Sequence, residues 1–292
     1  QRLGPGVIGV AAFQLNVLAT YCIGFFVGEH VVASYGYAVR LLELPQGLFA
    51  VSMATFLLPA LSGLAAEEEF DDFRNNIDEA ARHLLFLNLP AAVLLFVLAE
   101  PIVQLLFQYG AFTQESTERA AWALRCLAPA LPGYSLVLIL ARAFYALGDI
   151  KTPVKISIFC LVLNLILALV LVFQFEPGLR QGAFGIANTI SSTLNALLLW
   201  RALRRKDELA PIALPGLRKQ LPVMAVISVL GGGIGWWVCR ELGVEQVTVN
   251  ARLKVVFLPL LGAGILYWVL SALAGMDSPK AILGIFRPTK RE

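Results

Sequence analysis

Charge is what this sequence has least of. Only 15% of its 292 residues are Asp, Glu, Lys or Arg, against 58% hydrophobic, and mean hydropathy reaches +0.75. That balance excludes an ordinary water-soluble domain. Histidine is nearly missing, with His30 and His83 on separate elements, and the cysteines Cys22, Cys126, Cys160 and Cys239 are scattered without a CxxC pair. Spacing therefore excludes a zinc site or a thiol-redox motif, and free cysteines of this kind read as small packing residues. No nucleophile-base pair stands out and no motif calls for a cofactor. Basic patches interleaved with aromatics, the mark of a nucleic-acid partner, are also lacking. The composition is that of an integral membrane protein whose partners include the membrane lipids.

The charges that remain divide the chain. Residues 3–28, 44–66, 83–99, 126–141, 156–175, 181–200, 220–239 and 255–276 contain no Asp, Glu, Lys or Arg. A helix needs about 20 residues to cross the hydrocarbon core, so these stretches predict eight transmembrane helices, the shortest, 126–141, extending back through Arg125. Their apolar runs are continuous and too long for the alternating segments of a barrel. The fold class is all-α, a polytopic membrane protein. A six-helix section over 1–205 is followed by a linker, two additional helices and a basic tail over 206–292.

Lys and Arg are unevenly shared. One side of the predicted topology holds 16 of the 23, with Arg201, Arg204, Arg205, Lys206, Arg218 and Lys219 as its densest group, and the other holds 5; Arg40 and Arg125 fall inside spans. The richer side is expected to be cytoplasmic, with both chain ends inside. The acidic stretch Glu67 to Glu79 invites a metal reading, but Phe70, Phe73, Ile77, Ala80 and Leu84 recur at helical spacing. An amphipathic surface helix leading into the third span is the better account. The chain opens Gln1-Arg2-Leu3-Gly4-Pro5, with neither an initiator Met nor a signal peptide, and is expected to be a fragment preceded by further sequence.

Arg40 interrupts what would otherwise be a span. From Val31 to Ala66 the only charges are Arg40 and Glu43, three apart, on one helical face where they can partly compensate each other. A charge near the bilayer centre costs about 2.5 to 3.5 kcal/mol on insertion scales, so such residues usually face a protein interior or a wet cavity. Alternatively, Arg40 snorkels to the interface while residues 41–66 do the spanning. Other polar residues in spans, among them Gln14, Asn16, Asn164, Asn188, Thr189, Ser191 and Asn195, are suited to interhelical hydrogen bonds.

Four blocks are more specific than hydropathy. Tyr37-Ala38-Val39-Arg40-Leu41-Leu42-Glu43-Leu44-Pro45-Gln46-Gly47 is followed by Leu57-Leu58-Pro59, then Phe107-Gln108-Tyr109-Gly110-Ala111-Phe112-Thr113, then Asp149-Ile150-Lys151-Thr152-Pro153-Val154-Lys155. In order and spacing they resemble the MurJ/MviN family of lipid II flippases, within the multidrug/oligosaccharidyl-lipid/polysaccharide exporter superfamily, and the resemblance runs the whole chain. It implies the C-terminal lobe of a fourteen-helix transporter that moves undecaprenyl-diphosphate-linked peptidoglycan precursor, lipid II, outward across a bacterial inner membrane by alternating access. The partner is then the N-terminal lobe of the same protein, and the chain is not an enzyme.

The resemblance also assigns residues. Arg40 becomes the cavity arginine that holds the diphosphate, with Glu43 orienting it or taking part in gating. Val39 departs from members carrying Asp there, so no role of that acid transfers. Lys151 and Lys155 are candidates for attracting the anionic headgroup, although topology alone explains them as well. Asn16, Asn164 and Thr189 correspond to a cation site of sodium-coupled relatives. Here that site is expected to be weak, since those spans hold no carboxylate and Ala168 follows Asn164 by a turn. Alternatives are another flippase or exporter of the superfamily, for O-antigen or polysaccharide lipids or for drug/cation antiport, and, from a different class, a membrane-embedded polyprenyl-lipid transferase.

Overall fold

The computed structural model describes residues 4–206, 209, 214–242 and 249–279. Among the described residues there are helices and turns and no strand. Helix α1 (Gly4–Val27) turns at Gly28 into α2 (Glu29–Pro45). Pro45 does not end the helix. Lacking an amide hydrogen, it cannot close the ordinary ladder, and the six residues Gln46–Val51 widen into a π-helical segment that leads into α3 (Ser52–Ala66). Such widening is a known way for a helix to absorb a break. His30–Ala66 is therefore one apolar helix of 37 residues, roughly 55 Å long at 1.5 Å per residue. The expected span over 44–66 extends backward through Arg40 instead of starting after it.

Helix α4 (Phe70–Val97) begins as the expected amphipathic helix. Phe73, Ile77, Ala80 and Leu84 are buried while Asp71, Asp72 and Glu79 face outward, and the two aspartates sit in the first turn, where the helix dipole favours acids. The short α5 (Ala99–Phe107) follows. Helices α6 (Gln114–Leu127) and α7 (Ala130–Ala146) are bent by 45° where Pro129 separates them, so the single span expected over 126–141 is a broken pair. Helices α8 (Lys151–Val172), α9 (Gln181–Leu203), α10 (Pro215–Leu242) and α11 (Val249–Leu273) complete the chain. Among the described residues six helices are long and apolar enough to cross a membrane, or seven if the bent pair is one span. The eighth expected span corresponds to α1, of which only the apolar stretch Val17–Val27 falls within the described side chains.

Helix α9 is central, packing on α6, α7 and α8. Small residues permit it: a Cβ on Gly185 would lie 2.8 Å from the Cys126 carbonyl carbon and the Leu127 amide nitrogen, and one on Gly133 of α7 would lie 3.1 Å from the Ser192 backbone. Close backbone approach of this kind replaces the hydrophobic drive that helices in lipid lack. One core joins α2, α5, α6 and α9, and a second joins α3, α4, α7 and the end of α9. Large side chains such as Phe26, Phe56 and Leu273 stay on the outside, as a lipid-facing surface requires.

Candidate functional site

The block Tyr37 to Gly47 has two faces. Ala38, Leu41 and Leu42 are buried toward the other helices, whereas Arg40 and Glu43 are exposed on the opposite side. Arg40 sits within a continuous helix, with its guanidinium carbon 5.9 Å from the Tyr37 ring centroid. Tyr37 is itself wedged against Phe107 at 4.7 Å and Phe112 at 5.1 Å, so the first and third sequence blocks meet. Gly110, at φ 58°, makes the turn between α5 and α6 that brings those two rings back together. Thr113 then caps α6 by accepting from Ser116 N at 3.3 Å.

Arg40 and Glu43 do not form the ion pair their spacing suggests. Among the described residues neither has a salt-bridge partner. Both are exposed, and a solvated charge needs no counter-charge from the protein. Glu43, but not Arg40, lines a cavity of about 630 Å³ between α1, α2, α6, α7 and α9.

Three side chains of that cavity form a hydrogen-bond relay across helices. Tyr134 Oη donates to Asn188 Oδ1 at 2.6 Å, and Asn188 Nδ2 donates to Tyr35 Oη at 2.8 Å and to the Phe184 carbonyl at 2.9 Å. Asn188 is legible in the sequence as a polar residue within a span. Tyr35 and Tyr134 are not, because a tyrosine there reads equally well as an interfacial ring; their placement one helix across from an in-span amide is the only signal, and it appears only after folding.

Of the three residues considered for a cation, Asn164 and Thr189 point to different partners. Asn164 is buried and donates to Ser191 Oγ at 3.1 Å, whereas Thr189 turns to α6 and donates to the Cys126 carbonyl at 3.0 Å. The side chain of Asn16 lies outside the described residues. Among the described residues no three His, Cys, Asp or Glu side chains are grouped to hold a metal ion.

Lys151 and Lys155 are exposed on the first turns of α8. The acid of their block shapes the local backbone. Asp149 accepts from Thr152 N at 3.0 Å and Thr152 Oγ1 at 2.8 Å, and Lys206 Nζ lies 2.6 Å away. Partial burial pushes the Asp149 carboxyl up, but the hydrogen bonds from Lys206 and Thr152 outweigh it and hold its pKa below the ordinary carboxylate value. Gly148, at φ 73°, supplies the turn before it.

Two further charged contacts were invisible in the sequence. Arg125, counted as intramembrane, pairs with Glu100 at 3.3 Å. The buried Asp78 accepts from Gly216 N at 3.1 Å and Leu217 N at 2.9 Å, capping the start of α10 from across the molecule, with Arg82 Nε 3.4 Å away and Arg82 in turn 3.5 Å from Asp277.

Comparison with known proteins bears on this arrangement. The profile of a family described as "Lipid II flippase MurJ" matches residues 1–258. A probable lipid II flippase MurJ of Haemophilus influenzae is 36% identical over 209 residues, 70% of this chain and 40% of the relative. The lipid II flippase MurJ of Burkholderia cenocepacia is 31% identical over 267 residues, 89% of this chain and 51% of the relative. The chain thus spans about half the length, or less, of these curated relatives. A solved structure of a lipid II flippase MurJ in an inward closed conformation matches with a TM-score of 0.71 and 21% identity, covering 91% of this chain and 52% of that one; the likeness is one of fold.

Proposed function

The chain belongs to the lipid II flippase MurJ family, and from that premise we propose that it forms the C-terminal lobe, 1–205 with two additional helices in 206–292, of a flippase carrying undecaprenyl-diphosphate-linked muropeptide to the outer leaflet of a bacterial inner membrane. The observation that carries this reading is the face of α2. Arg40 and Glu43 stand exposed in the middle of a helix whose other side is packed, and Glu43 lines the cavity that holds Tyr35, Tyr134 and Asn188. A charge held there at the cost of insertion belongs against water, substrate or a partner lobe. The N-terminal lobe of the same protein is that partner, and alternating access is the rocking of the two around the shared face.

Arg40 holds the diphosphate. Its planar fork binds two phosphate oxygens at once, and the ring of Tyr37 backs the guanidinium while Phe107 and Phe112 fix that ring. Glu43, facing the cavity without an arginine partner, acts in gating instead of orienting Arg40. Lys151 and Lys155 attract the anionic headgroup at the cytoplasmic end. Both termini of this chain are cytoplasmic by the distribution of Lys and Arg. Asn164 and Thr189 are engaged with other protein groups, so sodium coordination is weak. An inside-negative potential, worth about 2.3 kcal/mol per charge per 100 mV, helps drive an anionic lipid outward.

The test is complementation of a flippase-depleted bacterium by the complete gene carrying Arg40→Lys or Arg40→Ala, with membrane abundance followed by immunoblot. Arg40→Lys is expected to lose about tenfold in flipping, the equivalent of one charge-assisted hydrogen bond of about 1.5 kcal/mol, and Arg40→Ala more. Abundance stays at the wild-type level for both, because neither residue of the Arg40/Glu43 pair is buried. Full rescue by both variants removes Arg40 from the mechanism.

A further inference from the structure

Helix α10 packs on α4 and α11 and leaves a gap to α7 and α9. In that gap lies a groove of about 860 Å³. Its walls, including Leu136, Leu140, Ala196 and Leu197, are apolar, and its rim carries Arg204, Arg218 and Lys219. A shallower depression of about 500 Å³, lined by the end of α9 alone, adjoins it, sharing Leu197, Trp200 and Arg204 and adding Leu198, Arg201 and Arg205. All five cations are exposed, and among the described residues no carboxylate pairs with any of them; Asp207 and Glu208 lie outside the described residues. No wall residue of either groove comes from α1 or α2, so both are separate from the Arg40 face.

We propose that the apolar groove holds an acyl chain of one anionic phospholipid, whose phosphate is gripped by Arg204, Arg218 and Lys219. The apolar walls alone discriminate nothing, because a lipid tail is no better off against leucine than against other tails. The selectivity comes from the rim: unpaired guanidinium and ammonium groups at the mouth of a tail-shaped channel attract a negative headgroup over a zwitterionic one. Trp200 sits beside the cations at the mouth, and an amphipathic indole there fixes the depth at which headgroups lie. The bound lipid fills the space between α9 and α10 and so joins the last two helices to the rest. This inference rests on the membrane-spanning fold and not on the identity of the transported substrate.

The experiment places the complete protein in phosphatidylcholine bilayers doped with a small, equal mole fraction of brominated phosphatidylglycerol or brominated phosphatidylcholine. Quenching of Trp200 is read as the difference between wild type and Trp200→Phe. Phosphatidylglycerol is expected to quench more strongly, and the preference falls by about fivefold for each rim cation removed, vanishing in Arg204→Gln/Arg218→Gln/Lys219→Gln. Unchanged quenching of that variant by brominated phosphatidylcholine shows that the groove is still formed, and Lys151→Gln/Lys155→Gln keeps the preference. Equal quenching of the wild type by the two lipids overturns the proposal, as does a preference that survives the triple substitution. Displacement by undecaprenyl diphosphate at concentrations where phosphatidylglycerol holds would give the groove to a prenyl lipid and also overturn it.

Discussion

Helices α1 to α9 and the pair α10 and α11 are joined by different chemistry. Within α1 to α9 most contacts are close backbone approaches at Gly133 and Gly185 and uncharged hydrogen bonds such as those of Asn188 and Asn164, with Arg125–Glu100 and Asp149–Lys206 as charged exceptions. The final pair is attached chiefly through α4, where an aspartate caps the incoming helix and a chain of charges runs from Asp78 to Arg82 to Asp277. Farther along, Arg252 of α11 donates to the carbonyls of Gln104 in α5 and of Gln108 just after it. Neutral contacts spread over many turns make an interface whose loss must be gradual. The final pair also has an apolar contact, Phe86 of α4 among Met224, Tyr267 and Trp268, so the charged contact concentrated at the start of α10 is the part of the attachment that a single substitution can loosen.

The strongest test of that contrast is Asp78→Ala in the complete protein. It uncaps α10 and leaves Arg82 without its nearest carboxylate, so destabilisation of about 3 kcal/mol is expected. Hydrogen exchange should show it as opening at the first turn of α10, with α6 and α9 still protected. Uniform loss of protection across all helices would mean that the two regions are not separable. Gly185→Ala attacks the other side of the comparison. Its new Cβ would be 2.8 Å from backbone atoms of Cys126 and Leu127, which cannot yield as a side chain can, and a loss of about 1 to 3 kcal/mol is expected. Here thermal denaturation in detergent should fall while the first turn of α10 stays protected.

Asp149→Asn is the smallest perturbation, because Asp149 ties α8 to the end of α9 through the partly exposed Lys206. Its folded-state pKa is lowered, so its contribution is fully present above the unfolded carboxylate value and is lost as pH falls through the folded one. The difference in stability between wild type and variant should be below about 1 kcal/mol at neutral pH and should shrink to nothing under acid conditions, as followed by melting temperature against pH. A difference that grows on acidification would contradict the ion pair.

Much of the fold is legible in the spacing of charges. The ends of α8, α9 and α10 fall close to the charged residues that bound them, and the burial of Phe73, Ile77 and Leu84 follows their helical period. What fails is whatever depends on partners distant in sequence. Glu100 explains Arg125 from 25 residues away, and Asp78 reads as one acid of an exposed stretch until α10 arrives. Asn164 and Thr189 are separated by helical phase: positions 189 and 191 are roughly 200° apart on a helix, so when Ser191 meets Asn164, Thr189 must look elsewhere. At the candidate site the position of Arg40 was foreseeable, but its separation from Glu43 was not, since i, i+3 spacing permits an ion pair without requiring one.

The cap on α10 also bears on the order of synthesis. Its acceptor, Asp78, precedes the amides it receives by 138 and 139 residues, so it has left the ribosome and entered its own helix long before Pro215 is made. The first turn of α10 meets a finished anchor on arrival. Helices α10 and α11 therefore dock after α4, and a synthesis arrest before Pro215 would leave Asp78 and Arg82 waiting on the surface as a marker of incomplete assembly.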